Sequence, residues 1–241
     1  YPILFKVGFP RDGIEYVLLY AVAFFTGNIF FTRAIYKLNI SSIAPFFQLQ
    51  TALIAIMAFI FLKERFPVNN YLYVTIMIIG SILVAIDEKM SIKSYFKIGI
   101  LLIIVQQILH ASSNIFAGFG LKAMNQFTFL FWGDLLSALM VLILIPMMGI
   151  SKFKINFTQI KPLLIGGFFS TVGATSLFTA FQTNITISSV LALLTSPIVF
   201  IISVIASRYK PEFLESHSKK VYFIRAIGVL MILFGAIKLS M

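Results

Sequence analysis

The sequence predicts an all-α membrane protein, a bundle of transmembrane helices. Hydrophobic residues make up 60% of the chain and charged residues only 11%. No Asp, Glu, Lys or Arg occurs between residues 162 and 207, and this run crosses the bilayer twice at about 20 residues per helix. Each crossing segment must be helical, because the hydrocarbon core offers the backbone groups no other hydrogen-bond partner.

Eight apolar segments of spanning length follow one another along the chain. Only short polar turns separate them, and none of these turns is long enough to form a soluble domain. The predicted spans are residues 13–36, 42–62, 70–86, 96–121, 127–148, 162–182, 187–207 and 221–239.

A repeated pattern relates the first three spans to the last three. Phe31-Thr32, Ile40-Ser41-Ser42 and Lys63 recur as Phe178-Thr179, Ile187-Ser188-Ser189 and Lys210, at a constant offset of 147. Five helices separate equivalent positions, so the two copies cross the membrane in opposite directions, as the inverted repeats of transporters do. We therefore predict that residues 13–86 superpose on residues 160–239 by a two-fold axis in the membrane plane.

The fourth and fifth spans have no counterpart in this sequence. If residue 96 opens the second unit, its equivalent lies about fifty residues before Tyr1 by the same repeat logic. We expect a protein of ten helices of which eight are present, with a first repeat over residues 1–86 that lacks its first two helices. The second repeat, with five helices, covers residues 96–241. A natural eight-helix protein is the alternative.

Short motifs in several spans carry a family resemblance. Phe47-Gln48-Leu49-Gln50-Thr51 leads to Leu62-Lys63-Glu64-Arg65, Gly80 has a counterpart in Gly228, and Thr195-Ser196-Pro197 interrupts the seventh span. This pattern resembles the EamA-type members of the drug/metabolite transporter superfamily over essentially the whole chain. The chain has Lys63 where the family usually has a Gly, and Asp134 near a frequent Arg. The resemblance implies a 5+5 inverted repeat and a secondary carrier for a small metabolite or drug-like solute.

Two ionisable side chains inside the spans are candidates for function, because such groups are expensive at bilayer depth. Asp134 is the only carboxylate well inside a span, and His110 lies in the middle of the preceding span. Each is twelve positions from Lys122, near which the chain turns, so the two side chains are level in an antiparallel hairpin. They could face a central cavity and exchange a proton or hold a cationic group. A structural hydrogen bond between helices is the competing interpretation.

Uncharged polar side chains complete the predicted site. Asn28 and Thr32 are one turn apart, and Thr175 and Thr179 are their equivalents at the offset of 147; each pair could also bond to its own helix. Gln106, His110 and Asn114 share one helical face by their spacing. Thr195 is the repeat equivalent of Gln48. The predicted substrate-binding residues are Asn28, Thr32, Gln48, Gln106, His110, Asn114, Asp134, Thr175, Thr179 and Thr195.

Three local signals concern the helices themselves. Ser41-Ser42 and Ser188-Ser189 are expected to begin their helices as N-caps. Pro197 lacks a backbone donor and leaves carbonyl oxygens free near mid-membrane. Gly166-Gly167, Gly173 and Ala174 are small enough to permit a close approach of another helix to the sixth span.

Other function classes find little support. The chain has no cysteine, only one histidine besides His110, and no glycine-rich phosphate-binding motif, so we predict no cofactor, no metal site and no ATP-driven pump. The net charge of +11 lies mostly in loops, where it contacts lipid headgroups rather than nucleic acid. An intramembrane aspartyl protease is the alternative function; it would need a carboxylate from the missing N-terminus beside Asp134.

The predicted partners are the lipid bilayer and a small-molecule substrate. Proton coupling and the choice between a monomer and a homodimer are left open. We expect a multi-pass protein of the cell (inner or plasma) membrane. Its orientation stays open. The positive-inside rule places the loops that carry twelve Lys and Arg in the cytoplasm, against six on the other side, whereas the family resemblance implies the opposite.

Overall fold

The computed structural model describes residues 7–37, 46–65, 67–84, 98–147, 157–206, 209 and 218–240. These residues form helices and contain no strand, so the predicted all-α bundle is confirmed. The α-helices are α1 (Ile14–Ile35), α2 (Phe47–Met57), α3 (Val68–Val84), α4 (Ile98–Ala123), α5 (Gln126–Met147), α6 (Phe157–Phe181), α7 (Ile185–Leu191), α8 (Thr195–Ala206) and α9 (Lys219–Ser240).

Five helices of the described residues are long and apolar enough to cross a membrane. They are Ile14–Ile35, Ile98–Ala123, Gln126–Leu144, Ile160–Phe181 and Lys219–Leu239, and three shorter apolar helices cover Leu49–Leu62, Val68–Val84 and Ile185–Leu194. The chain is a multi-pass integral membrane protein. The predicted span at residues 187–207 consists of α7, a 3-10 turn over Ala192–Leu194 and α8, in which Pro197 is the third residue.

Aromatic rings from three helices fill the core between α1, α5 and α6. The Tyr20 ring stands edge-on to Phe129 and Phe178, with ring centroids 5.1 and 5.9 Å away. Glycines make room for these rings, since a Cβ on Gly133 would lie 2.8 Å from the Tyr20 ring. The core therefore positions the middle of α1 directly beside the segment of α5 that carries Asp134.

Helices α3 and α9 pack against each other at two glycines. A Cβ on Gly80 would lie 2.8 Å from the carbonyl oxygen of Gly228, and a Cβ on Gly228 would meet the carbonyl oxygen of Gly80. The same helices touch at Gly235 and Tyr73. Between the two contacts the residue numbers increase along α9 and decrease along α3. The pair is antiparallel, and it crosses where both backbones lack side chains.

The C-terminal end of α2 widens into a π-helical turn over Ala58–Leu62. Lys63 closes this turn with φ 57°, the left-handed conformation that glycine adopts without steric strain. The Glu64 amide then donates to the Ala58 carbonyl oxygen at 3.2 Å. Lys63 therefore holds a strained conformation at a position that favours glycine.

We expect Lys63→Gly to raise the free energy of unfolding by roughly 0.5–1 kcal/mol, because the left-handed conformation is unfavourable for a residue with a Cβ. Arg65→Gly is the matched control: it also removes a basic side chain, from a residue without positive φ, and it should be neutral or slightly destabilising. Thermal unfolding in detergent measures both. Equal effects of the two variants would contradict the strain at Lys63.

One local expectation from the sequence is wrong in the described residues, and another is not used there. The N-cap of α7 is Asn184, whose side-chain oxygen accepts from the Ile187 amide at 2.8 Å, so Ser188 and Ser189 lie inside the helix; Ser41-Ser42 lie outside the described residues. On α6, a Cβ on Gly166, Gly167 or Gly173 would find no described atom within 4 Å. No close helix approach occurs there in the described part of the chain.

Candidate functional site

A cavity of about 300 Å³ lies between α1, α4, α5 and α6, with one residue from α2. Its polar lining consists of Gln50, His110, Ser113, Asn114, Asp134, Ser170 and Thr171. Its apolar lining consists of Tyr20, Phe24, Leu130, Ala174, Leu177 and Phe178. We call it the central cavity.

Three of the predicted site residues meet in the central cavity. His110 and Asn114 reach it from α4, and Asp134 reaches it from α5. Asp134 also borders a second cavity of about 350 Å³ between α5 and α6, which Thr175 lines as well. The structure therefore brings three of the other predicted residues, His110, Asn114 and Thr175, into cavities that Asp134 also lines.

The other predicted residues lie elsewhere. Asn28 donates to the Phe24 carbonyl oxygen at 3.0 Å, Thr32 to that of Asn28 at 2.8 Å and Thr179 to that of Thr175 at 2.8 Å. These bonds stay within their own helices, and none of the three residues lines either cavity. Thr195 is exposed and also lies outside both linings. The side chain of Gln48 lies outside the described part of the structure.

Gln106 is buried behind His110 rather than in the cavity wall. Its amide nitrogen lies 3.2 Å from His110 Nδ1. The neighbouring Gln107, which is fully buried, donates from Nε2 to Gln106 Oε1 at 2.7 Å. Three side chains of one helix thus form a hydrogen-bonded row, which we call the glutamine relay, and it ends on the imidazole.

The imidazole of His110 is held between α4 and α1. Its ring stacks on Phe24 with centroids 5.1 Å apart, and a Cβ on Gly27 would lie 2.8 Å from Nε2. Nε2 is buried and has no hydrogen-bond partner among the described residues. His110 and Asp134 therefore share a cavity without a direct hydrogen bond between them.

Several lining residues were not predicted from the sequence. Ser170, Thr171, Ala174 and Phe178 recur at helical spacing on α6, one position away from the predicted Thr175 and Thr179. That shift turns the side chain by about 100° around the helix axis. The adjacent polar residues Ser170 and Thr171 are the signal that could have identified this face, whereas nothing in the sequence separates Tyr20 and Phe24 from other core aromatics.

One end of the bundle carries a further polar contact. The Glu64 carboxylate accepts from the backbone amides of Ile185 and Thr186 at 3.0 and 3.2 Å. It also accepts from the Thr186 hydroxyl at 2.7 Å. These bonds join the end of α2 to the start of α7, beside a cavity of about 220 Å³ that Lys122 and Gln182 also line.

A comparison with protein families adds to this geometry. Residues 2–86 match the EamA-like transporter family. The EamA resemblance predicted from the sequence is thereby confirmed for these residues. No curated protein sequence matches the chain.

The EamA match covers α1, α2 and α3, and hence Tyr20, Phe24 and Gln50 of the cavity wall. The matched family is one of membrane transporters. The remaining cavity residues belong to helices α4 to α6, beyond the matched segment.

Proposed function

We propose that this EamA-type protein is a secondary carrier that moves a small, partly polar metabolite or drug-like solute across the cell membrane by alternating access. The observation that carries the proposal is the central cavity. Asp134, His110 and Asn114 line it from α4 and α5 and Gln50 lines it from α2, and these side chains come from both predicted repeats. Transporters of this architecture bind their substrates between repeats, near the middle of the membrane.

The α3–α9 contact supports the inverted repeat on which alternating access would depend. These helices are equivalent under the predicted repeat, and they pack antiparallel at Gly80 and Gly228. Equivalent helices that run in opposite directions and touch at equivalent positions are expected beside a two-fold axis in the membrane plane. Rocking of one repeat against the other could take place about this contact.

Within this proposal Asp134 is the coupling group. A lone carboxylate in a medium of low dielectric constant takes up a proton readily, because burial disfavours its charged form. Proton uptake on one side of the membrane and release on the other would then accompany the movement of the solute. The intramembrane protease alternative needs two carboxylates, whereas Asp134 is the one carboxylate of the described cavity lining.

Transport by the full-length protein in proteoliposomes tests the proposal. A panel of metabolites should include at least one solute whose uptake responds to a pH gradient, and Asp134→Asn should lower that uptake by at least about tenfold. Thr179→Val is the control, because Thr179 was predicted from the sequence but lies outside both cavities. Unchanged pH-driven uptake in Asp134→Asn would remove the coupling role.

A further inference from the structure

We infer that the central cavity accepts an organic cation, with Asp134 as the counter-ion and the glutamine relay keeping His110 uncharged beside it. The inference rests on the proposed function only in taking this cavity as the solute site. It goes further by naming the charge of the solute and two positioning residues, Gln106 and Gln107.

The charge of the cavity is opposite to that of the chain. The chain has 19 Lys and Arg against 8 Asp and Glu, yet the described lining contains no Lys or Arg and one carboxylate, Asp134. The other titratable groups of the lining are Tyr20 and His110. A solute anion would face Asp134 at low dielectric constant without a compensating cation, so the lining disfavours anions.

The Asp134 carboxylate is not used for folding. It is exposed to both cavities, and no hydrogen bond to it is found within the described residues. The competing interpretation, a structural bond to His110, does not hold in this structure. Its oxygen atoms are therefore open to a solute.

The glutamine relay decides which nitrogen of His110 carries the proton. Gln107 donates to Gln106 Oε1, so the Gln106 amide nitrogen faces His110 Nδ1 and must donate to it. Nδ1 is then an acceptor, and the single proton of the neutral ring is on Nε2. In the structure, Gln107 Oε1 is the amide atom without a hydrogen-bond partner. If both amides were reversed, the NH₂ group of Gln107 would lack a partner instead.

A protonated His110 is incompatible with this relay. The imidazolium ion has a proton on both nitrogens, and Nδ1 would then face the amide protons of Gln106. Both glutamines are buried, at 4% and 0% exposure, so a reversal of their amides would take place inside a packed core. The relay therefore keeps His110, the one basic group of the described lining, from competing with a solute cation for Asp134.

Aromatic rings provide the rest of a cation site. Tyr20, Phe24 and Phe178 line the cavity, and the Tyr20 ring packs on Gly133, next to Asp134 in the chain. A cation over an aromatic face is stabilised by the ring quadrupole, more strongly when it is desolvated. A carboxylate and aromatic side chains in one lining match an amine or quaternary ammonium attached to an apolar body.

Binding of three small aromatic compounds to the full-length protein in nanodiscs tests the charge preference by calorimetry. Benzyltrimethylammonium is a permanent cation, 2-phenylethanol is neutral and benzenesulfonate is an anion. We expect the cation to bind at least about tenfold more tightly than the other two, and Asp134→Asn to remove that preference. Asp134→Glu should retain it, and Thr179→Val should behave as the wild type.

Benzenesulfonate binding as tight as that of the cation would overturn the inference. So would cation binding that Asp134→Asn leaves unchanged. If Asp134→Asn does not fold, the comparison of the three compounds on the wild type and on Asp134→Glu still decides the question. Cation binding that depends on Asp134, without transport in proteoliposomes, would keep this inference and overturn the carrier.

The relay has its own spectroscopic test, because the chain has only two histidines. With His217→Gln as background, the ¹⁵N resonances of the remaining imidazole report its tautomer directly. We expect the Nε2–H form at neutral pH, and loss of this single form in Gln106→Leu, while Gln182→Leu is a control at a distant glutamine. An Nδ1–H tautomer or an imidazolium in the unmodified relay would overturn the positioning role.

Discussion

Alanine in place of Gly228 is expected to lower the free energy of unfolding by roughly 2 kcal/mol, the usual size of an overpacking effect. The added Cβ would meet the carbonyl oxygen of Gly80 and would lie 2.9 Å from both the backbone nitrogen and a methyl carbon of Val84. Backbone atoms cannot rotate away as a side chain does, so α3 and α9 must separate. Gly80→Ala should behave in the same way, since its Cβ would lie 2.8 Å from the carbonyl oxygen of Gly228.

Gly167→Ala on α6 is the matched control for this experiment. It is also a glycine within an apolar helix, but its Cβ would have no described atom within 4 Å. There the substitution should be neutral or stabilise by up to about 1 kcal/mol, since alanine favours the helix. Unfolding of each variant in mixed micelles with increasing denaturing detergent measures the difference. Equal stabilities of Gly228→Ala and Gly167→Ala would contradict the close crossing of α3 and α9.

The second large effect is expected at Glu64. Glu64→Ala leaves two backbone amides at the start of α7 and the Thr186 hydroxyl without their acceptor. The loss of these bonds to a charged acceptor should lower the free energy of unfolding by about 2 kcal/mol. This value is near the lower end of the usual range for charged hydrogen bonds, because Glu64 is only half-buried. Glu64→Gln keeps one carbonyl oxygen and should show about half of that loss.

A double-mutant cycle with Thr186→Val isolates the hydroxyl bond from the amide bonds. The stability losses of the two single variants should add up to more than the loss of the double variant. Glu15→Ala is the control, because Glu15 is an exposed carboxylate in the first turn of α1 and contributes only a few tenths of a kcal/mol there. Strictly additive losses at Glu64 and Thr186 would show that the hydroxyl bond between them contributes nothing to stability.

The helices could be predicted because a membrane-spanning helix leaves a strong pattern in the sequence alone. An apolar run of about 20 residues is unambiguous, and the largest error at a described helix start, five residues at Phe157, arose where Pro162 was taken as a beginning. Pro162 is the sixth residue of α6, inside the helix, so it costs one backbone hydrogen bond instead of starting the helix. The N-cap of α7 was misplaced for a different reason, since Asn184 and Ser188 are both good caps and only the backbone distinguishes them.

The site was harder to predict than the helices. Asp134 and His110 stood out because ionisable groups are rare at bilayer depth, and their level placement across the α4–α5 turn agrees with the shared cavity. Asn28, Thr32 and Thr179 bond to their own helices, an outcome that a polar residue in an apolar sequence does not reveal. Tyr20 and Phe178 face the cavity only because neighbouring helices leave space there.

The sequence by itself determined that the chain crosses a membrane through α-helices, that it resembles the EamA transporters and that Asp134 is the carboxylate inside the bundle. These properties follow from the composition of the chain and the order of its residues, because the hydrocarbon core of the bilayer forces an apolar segment to form a helix. Only the tertiary structure decided that His110 is bound to Gln106 rather than to Asp134, that Glu64 joins α2 to α7, and that Gly80 meets Gly228. Each of these contacts depends on the rotation of one helix against another, which packing of all the side chains sets together.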